Sequence, residues 1–114
     1  MQRVKVIAMS SNKLLSNLGL AMRAGQLVTG DEGVLDAIRT GKACLVVLAA
    51  DASEKTRKKF KDKCSTYQVP IIEYGTREQL GSSVGKGERV IMAITDPGFA
   101  RLIAKHKANL AEVE

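Results

Sequence analysis

Two short strings in this chain have the residue types and spacing to meet a polyanion. One is Thr29-Gly-Asp-Glu-Gly-Val-Leu-Asp-Ala-Ile-Arg-Thr-Gly41, and the other is Gly85-Lys-Gly-Glu-Arg89. In the first, Gly30 stands at the opening of a helix, where unpaired backbone amides can approach a phosphate or a base edge closely. Asp31 and Glu32 follow at the positive end of the helix dipole, which favours carboxylates there whatever the ligand. In the second, Lys86 and Arg89 bracket Gly87 and Glu88 on a flexible, basic turn. Both strings point to binding and not to bond-making.

Catalysis fails on inventory. His106 is the only histidine, and it lies in a basic tail where solvation is its simplest fate. Without a second base and a placed nucleophile, neither a Ser/His/Asp nor a Cys/His constellation can be built. Asp31 and Glu32 are adjacent, so they do not share a helix face as a general acid/base pair would. Cys44 and Cys64 lack zinc-ligand spacing and read as reduced core residues. Gly81-Ser-Ser-Val-Gly85-Lys86-Gly87 approaches a P-loop, but its glycine spacing is one residue short. Gly87 also occupies the position where Ser or Thr would hold magnesium, so the segment reads as a glycine-rich turn between helix and strand. No metal or organic cofactor is expected.

The elements that must carry these strings alternate. Ser11–Ala24 is expected to be a helix with Leu14, Leu15, Leu18 and Met22 on one stripe, stopped by Gly25. Gln26–Thr29 is a short strand. Thr29 and Glu32 then form a capping box for a helix over Asp31–Thr40, with Val34, Leu35 and Ile38 on its inner face. Ala43–Ala50 is a continuous apolar run, as in a strand buried on both faces. Asp51 and Ser53 offer caps for a helix to about Tyr67, with Phe60, Cys64 and Tyr67 pointing inward and the lysines outward. Pro70–Tyr74 is a strand entered through proline, which disfavours a central place in the sheet. Thr76 and Gln79 make a second capping box, Arg89–Thr95 is another apolar strand, and Asp96-Pro97 starts a helix through Phe99, Leu102 and Ile103. Helices alternating with strands predict an α/β fold: a three-layer α/β/α sandwich around a four-stranded mixed sheet.

The chain has 114 residues, 45% of them hydrophobic, and a net charge of +6. That length suits one domain, which buries roughly two thirds of its unfolded surface. Residues 1–8 read as an extension and 104–114 as a fraying tail. No apolar run approaches the ~20 residues of a membrane span, and no signal peptide is evident. A cytoplasmic location is therefore expected. Six of the eighteen cations lie within Lys55–Lys63, a window whose charges flank an apolar stripe and read as a solvated outer face. A small basic domain of this kind most often meets nucleic acid.

Several strings go further. Leu-Gly-Leu-Ala-Met-Arg-Ala-Gly at 18–25, Ala-Ile-Arg-Thr-Gly at 37–41 and Val-Val-Leu-Ala-Ala-Asp-Ala-Ser at 46–53 are three of them. Asp-Lys-Cys at 62–64 and Thr-Asp-Pro-Gly-Phe-Ala at 95–100 complete the set. With the order of elements, they resemble the kink-turn-binding ribosomal protein family of the L-seven-Ae type, most closely its small bacterial YlxQ branch. The resemblance spans about Lys13 to Ile103. It implies a non-enzymatic RNA-binding protein whose partner is a kink-turn or ribosomal RNA, with ribosomal proteins as further neighbours and a monomeric state.

Family recognition follows the pattern Gly-x-Asn-Glu-x-x-Lys at the start of the second helix. Aligned on Gly30, this chain has Glu32 at the Asn position, Gly33 at the Glu position and Asp36 at the Lys position. The resemblance then implies that Asp31 and Glu32 accept hydrogen bonds from guanine edges and that Gly33 permits closer approach. Lys86 and Arg89, with Arg39, would hold phosphates, and Gly87 would give the loop its freedom. Polar contacts of this kind discriminate by about 1–3 kcal/mol each. The three departures leave a second expectation open: a protein-interaction module that has kept the fold and lost specific RNA recognition.

Overall fold

The computed structural model describes the backbone of residues 2–113 and the side chains of residues 13–108. Among the described residues nine elements alternate as the sequence predicts. They are α1 (Gln2–Arg23), β1 (Leu27–Thr29), α2 (Asp31–Arg39), β2 (Leu45–Leu48), α3 (Glu54–Tyr67), β3 (Ile71–Glu73), α4 (Arg77–Ser83), β4 (Ile91–Ile94) and α5 (Pro97–Val113). Among the described residues no helix is long and apolar enough to cross a membrane.

The strand order is β1-β4-β2-β3. β4 runs antiparallel to both β1 and β2, whereas β2 and β3 are parallel, so the sheet is mixed. The connection from β1 through α2 to β2 therefore spans β4. Period-2 alternation along the two central strands builds two cores, one on each face. Leu45, Val47, Met92 and Ile94 join Leu14, Leu18, Leu80 and Ile103 under α1, α4 and α5. Val46, Leu48, Ile91 and Ala93 join Val34, Ile38, Phe60 and Cys64 under α2 and α3. Both faces are covered, which is why β2 and β4 read as unbroken apolar runs. β3 lies at the edge, as Pro70 required.

Local chemistry sets the element ends. Ser53 caps α3 by accepting from the Thr56 amide, and Thr76 with Gln79 forms a complete capping box on α4. Asp96 accepts from the Phe99 amide at the start of α5. Asp51 instead accepts from the Arg77 amide at the start of α4, 3.0 Å away.

Four expectations need correction. The Thr29–Glu32 capping box does not form: Gly30 is the N-cap of α2, with no side-chain cap bond. Thr29 is held in the β1–β4 ladder opposite Met92, and its hydroxyl lies 3.4 Å from Arg89 Nε. Tyr67 is exposed, because α3 ends in a left-handed Gln68 and Val69 packs against the core in its place. On α5, Ala100 and Ile103 face the sheet and Leu102 is exposed. α1 begins at Gln2 and not at Ser11. α5 continues through residues 104–113, where alanine and lysine sustain the helix despite their polar pattern.

Candidate functional site

Strand direction decides which loops meet. β1 ends where β4 begins, and β2 ends beside the same residue, since Leu48 pairs with Ile91. The Gly30 turn, the 84–90 connection and the start of α3 therefore share one end of the sandwich. Two bonds fix this: Arg89 Nε to Thr29 Oγ1 at 3.4 Å, and the Gly30 amide to Ile91 O at 3.3 Å. The two strings singled out in the sequence are neighbours.

Gly30 has φ 90° and ψ 154°, a region open essentially to glycine alone. A Cβ built there meets nothing within 4 Å, so the restriction is conformational and the space above the turn is open. The Gly30 carbonyl accepts the Val34 amide and starts the α2 ladder. The first-turn amides ahead of it have no partner in a helix of this geometry, and no side chain caps them. They face solvent at the positive end of the dipole. Asp31, Glu32 and Gly33 are all exposed.

Gly33 differs from Gly30 in kind. A Cβ at residue 33 would meet only Val28 Cβ at 3.9 Å, an ordinary contact, and its φ is not positive. Neither packing nor backbone geometry demands glycine there.

The 84–90 connection is tied down, in contrast to the flexible turn expected. The Lys86 amide bonds to Gly81 O at 2.9 Å and the Arg89 amide to Arg77 O at 3.0 Å. A Cβ on Gly81 would come within 1.9 Å of Gly87 O, so the loop lies directly on the α4 backbone. Gly81–Ser83 form the last turn of α4, which leaves a turn between helix and strand and no phosphate cradle of P-loop type. Arg89 is half-buried, and its Nη1 also donates to the carbonyls of Gly87 and Glu88. It clamps the loop against the Gly30 turn. Lys86 and Gly87 remain exposed on top.

The remaining candidates separate. Asp31 Oδ2 lies 3.4 Å from Lys59 Nζ of α3, a cation that also sits 5.5 Å from the centre of its neighbour Phe60's ring. Glu32 and Asp36 lie four residues apart on one exposed face of α2. Arg39 ends α2, about 12 Å of helix beyond Asp31. The site is thus an acidic helix start with Lys59 and Arg89 beside it, and with Lys86 exposed on the loop that Arg89 clamps. A groove of about 790 Å³ between α1 and α4, lined by residues such as Leu15, Gly19 and Ser83, lies in the opposite helical layer and is separate from it.

Sequence reasoning missed Lys59 and Thr29. Lys59 was one of six cations in a run, and only the packing of α3 beside α2 selects it. Thr29 carried a capping signal that masked its role as an anchor for Arg89.

Away from the site, Arg57 joins α3 to the sheet. It bonds Glu73 and Glu54 and the carbonyls of Ala50 and Ala52, and Lys61 Nζ lies 2.7 Å from Glu73. The Lys61 and Arg57 bonds hold the Glu73 carboxyl below its ordinary range. Burial pushes the Cys64 thiol up to about 11.

Comparison with known proteins places this geometry in context. The family model described as "Ribosomal protein L7Ae/L30e/S12e/Gadd45 family" matches residues 12–104. The chain is 47% identical over 92 residues to the RNA-binding protein YlxQ of Bacillus subtilis, covering 81% of this chain and 92% of the relative. A solved structure of a protein of unknown function from Bacillus halodurans superposes with a TM-score of 0.80 at 48% identity, over 82% of this chain and 95% of that one. The Giardia lamblia 15.5 kD RNA-binding protein shares the fold, with a TM-score of 0.72 at 20% identity over 93% and 91% of the two chains.

Proposed function

The chain belongs to the L7Ae/L30e/S12e/Gadd45 family of ribosomal proteins, and on that footing we propose that it is a non-enzymatic RNA-binding protein that docks on bent, kink-turn-like RNA. One observation carries the reading: the Gly30 turn and the 85–89 loop are joined through Thr29 and Arg89, under open space. The name of the B. subtilis relative, an RNA-binding protein, supports the same class of ligand.

In this reading Gly30 and Gly33 let a base edge approach the backbone at the α2 N-terminus. Asp31 and Glu32 accept from the N–H groups of a sheared guanine. Lys86 meets a phosphate, and Arg89 holds the loop in place while keeping its charge beside the site. Gly87 leaves the top of the loop open. Arg39 reaches phosphates further along α2, while Asp36 contributes no cation where the family pattern has lysine. Ribosome association, a cytoplasmic location and a monomeric state belong to the same proposal.

The three carboxylates Asp31, Glu32 and Asp36 on α2 favour one other reading, a fold kept for a protein partner. A titration of the protein against a kink-turn RNA and a straight duplex of equal length, at two salt concentrations, separates them. Preference for the kink-turn is the expected result. Equal, salt-sensitive binding to both would reduce the site to a general RNA binder, because phosphate contacts carry no sequence information. No binding to either would leave the protein partner.

A further inference from the structure

α3 carries six cations and two carboxylates in fourteen residues. Its two flanks behave differently. On the flank toward β3, Arg57 and Lys61 are occupied by Glu73. Lys55, Lys59 and Lys63 follow one another at four-residue spacing, so they form a single ridge with a repeat of about 6 Å. The Lys59–Asp31 contact shows that this ridge lies on the side of α3 facing the start of α2. All three lysines are exposed, and among the described residues neither Lys55 nor Lys63 has an ion-pair partner.

Such a ridge works against the helix that carries it. Like charges four residues apart repel, and Asp62, the one carboxylate of α3 on this face, forms no ion pair among the described residues. Solubility would be served as well by mixed charges. A ridge of cations repeating at about 6 Å suits the phosphate backbone of a polyanion. Its position is also specific: β2 ends beside the Gly30 turn and leads into the first turn of α3, which carries Lys55.

We propose that the Lys55–Lys59–Lys63 ridge is a second RNA-binding surface, which takes the phosphate backbone of the duplex stem leaving the bend held at Gly30. This rests on the function proposed above for the Gly30 site and extends its footprint from α2 onto α3. Lys59, already paired with Asp31, is the joint between the two surfaces. The contact is with backbone and adds affinity without base preference.

The test compares K55Q/K63Q with K105Q/K107Q, which removes the same charge from α5 in the opposite helical layer. Both are titrated over a salt series against a kink-turn RNA with long stems and against a straight duplex. Each lost phosphate contact lowers the slope of log Kd against log salt by about one. The ridge variant is therefore expected to lose about two units of slope and the α5 variant roughly none. Equal slopes for the two variants would overturn the proposal. Failure of the Gly30 reading is seen separately, as a wild-type protein with no preference for the bent RNA; the ridge comparison on the straight duplex still stands in that case. Thermal unfolding checks that both variants fold, and removing like charges from α3 should leave K55Q/K63Q at least as stable as the parent.

Discussion

Replacing Gly33 by alanine should stabilise the protein and weaken it as an RNA binder. The stabilisation follows from the structure. Gly33 lies in the first turn of α2 without a positive φ, and an added Cβ meets only Val28 Cβ at 3.9 Å. Glycine in a helix costs about 0.5–1 kcal/mol relative to alanine, chiefly through the freedom of the unfolded chain. At this chain length that corresponds to a rise in Tm of roughly 2–5 °C. The Gly30→Ala variant is the contrast. Its φ of 90° imposes strain of order 1–3 kcal/mol on any side chain, so the same methyl group should lower Tm.

The binding effect has the opposite sign. If a base edge approaches the α2 backbone at Gly33, a methyl group there must displace it, at a cost comparable with overpacking, about 1–3 kcal/mol. That corresponds to roughly a five- to 150-fold rise in Kd for kink-turn RNA, with little change for a straight duplex bound through phosphates. Calorimetric Tm and a fluorescence titration of each variant against both RNAs give the two numbers. A Gly33→Ala protein that is more stable and binds the kink-turn unchanged would refute close approach at this residue. Glycine would then be a local defect with no ligand to explain it.

Other consequences follow from particular contacts. Gly81→Ala must move the 84–90 loop, since its Cβ would overlap Gly87 O; a loss of about 1–3 kcal/mol in chemical denaturation is expected. Glu73 has its carboxyl held below the ordinary range by Lys61 and Arg57, so the ionised form is favoured in the folded state. Its contribution is present above the unfolded carboxylate range and is lost as pH falls through the lowered folded value. Glu73→Gln should therefore flatten the acid limb of a Tm–pH profile. Cys64 has the reverse linkage: burial raises its thiol to about 11, so the folded state loses stability as pH rises from the usual thiol range toward that value. A disulfide reagent should label half-buried Cys44 in the native protein and Cys64 only after unfolding.

Much of the fold was legible because its signals are local. The apolar runs at β2 and β4, the Thr76–Gln79 box, the Ser53 cap and the Asp96-Pro97 start each need only a few neighbouring residues. Strand order does not, since nothing in the periodicity says that β4 inserts between β1 and β2. The same limit explains the errors. Thr29 has the side chain of a cap, yet pairing with β4 and contact with Arg89 hold it elsewhere. Arg57 looked like one more charge on a solvated helix, but it reaches the carbonyls of Ala50 and Ala52 and the Glu73 carboxylate. For the site, Gly30 and the basic loop could be found from residue types, whereas their adjacency depended on topology. Arg39 could have been separated from them by helix length alone.

The charge pattern of the site acquires a physical logic once these tertiary contacts are included. α2 presents carboxylates at its start, where the dipole favours them, and has Asp36 at the position where the family pattern has lysine. Positive charge comes instead from outside the helix: Lys59 across from Asp31, and Arg89 across from Thr29, with Lys86 exposed on the same loop as Arg89. Acceptors and amide donors are thus fixed by one rigid element, and the cations are delivered by two others that pack beside it. The arrangement makes the local field depend on tertiary packing. Neutralising Asp31 would remove an acceptor and also release Lys59 from its position. Shifting the 84–90 loop would move a cation without touching α2. The proposed site can therefore meet a phosphate without a lysine on α2, because the cation that a phosphate requires need not share an element with the groups proposed to recognise a base.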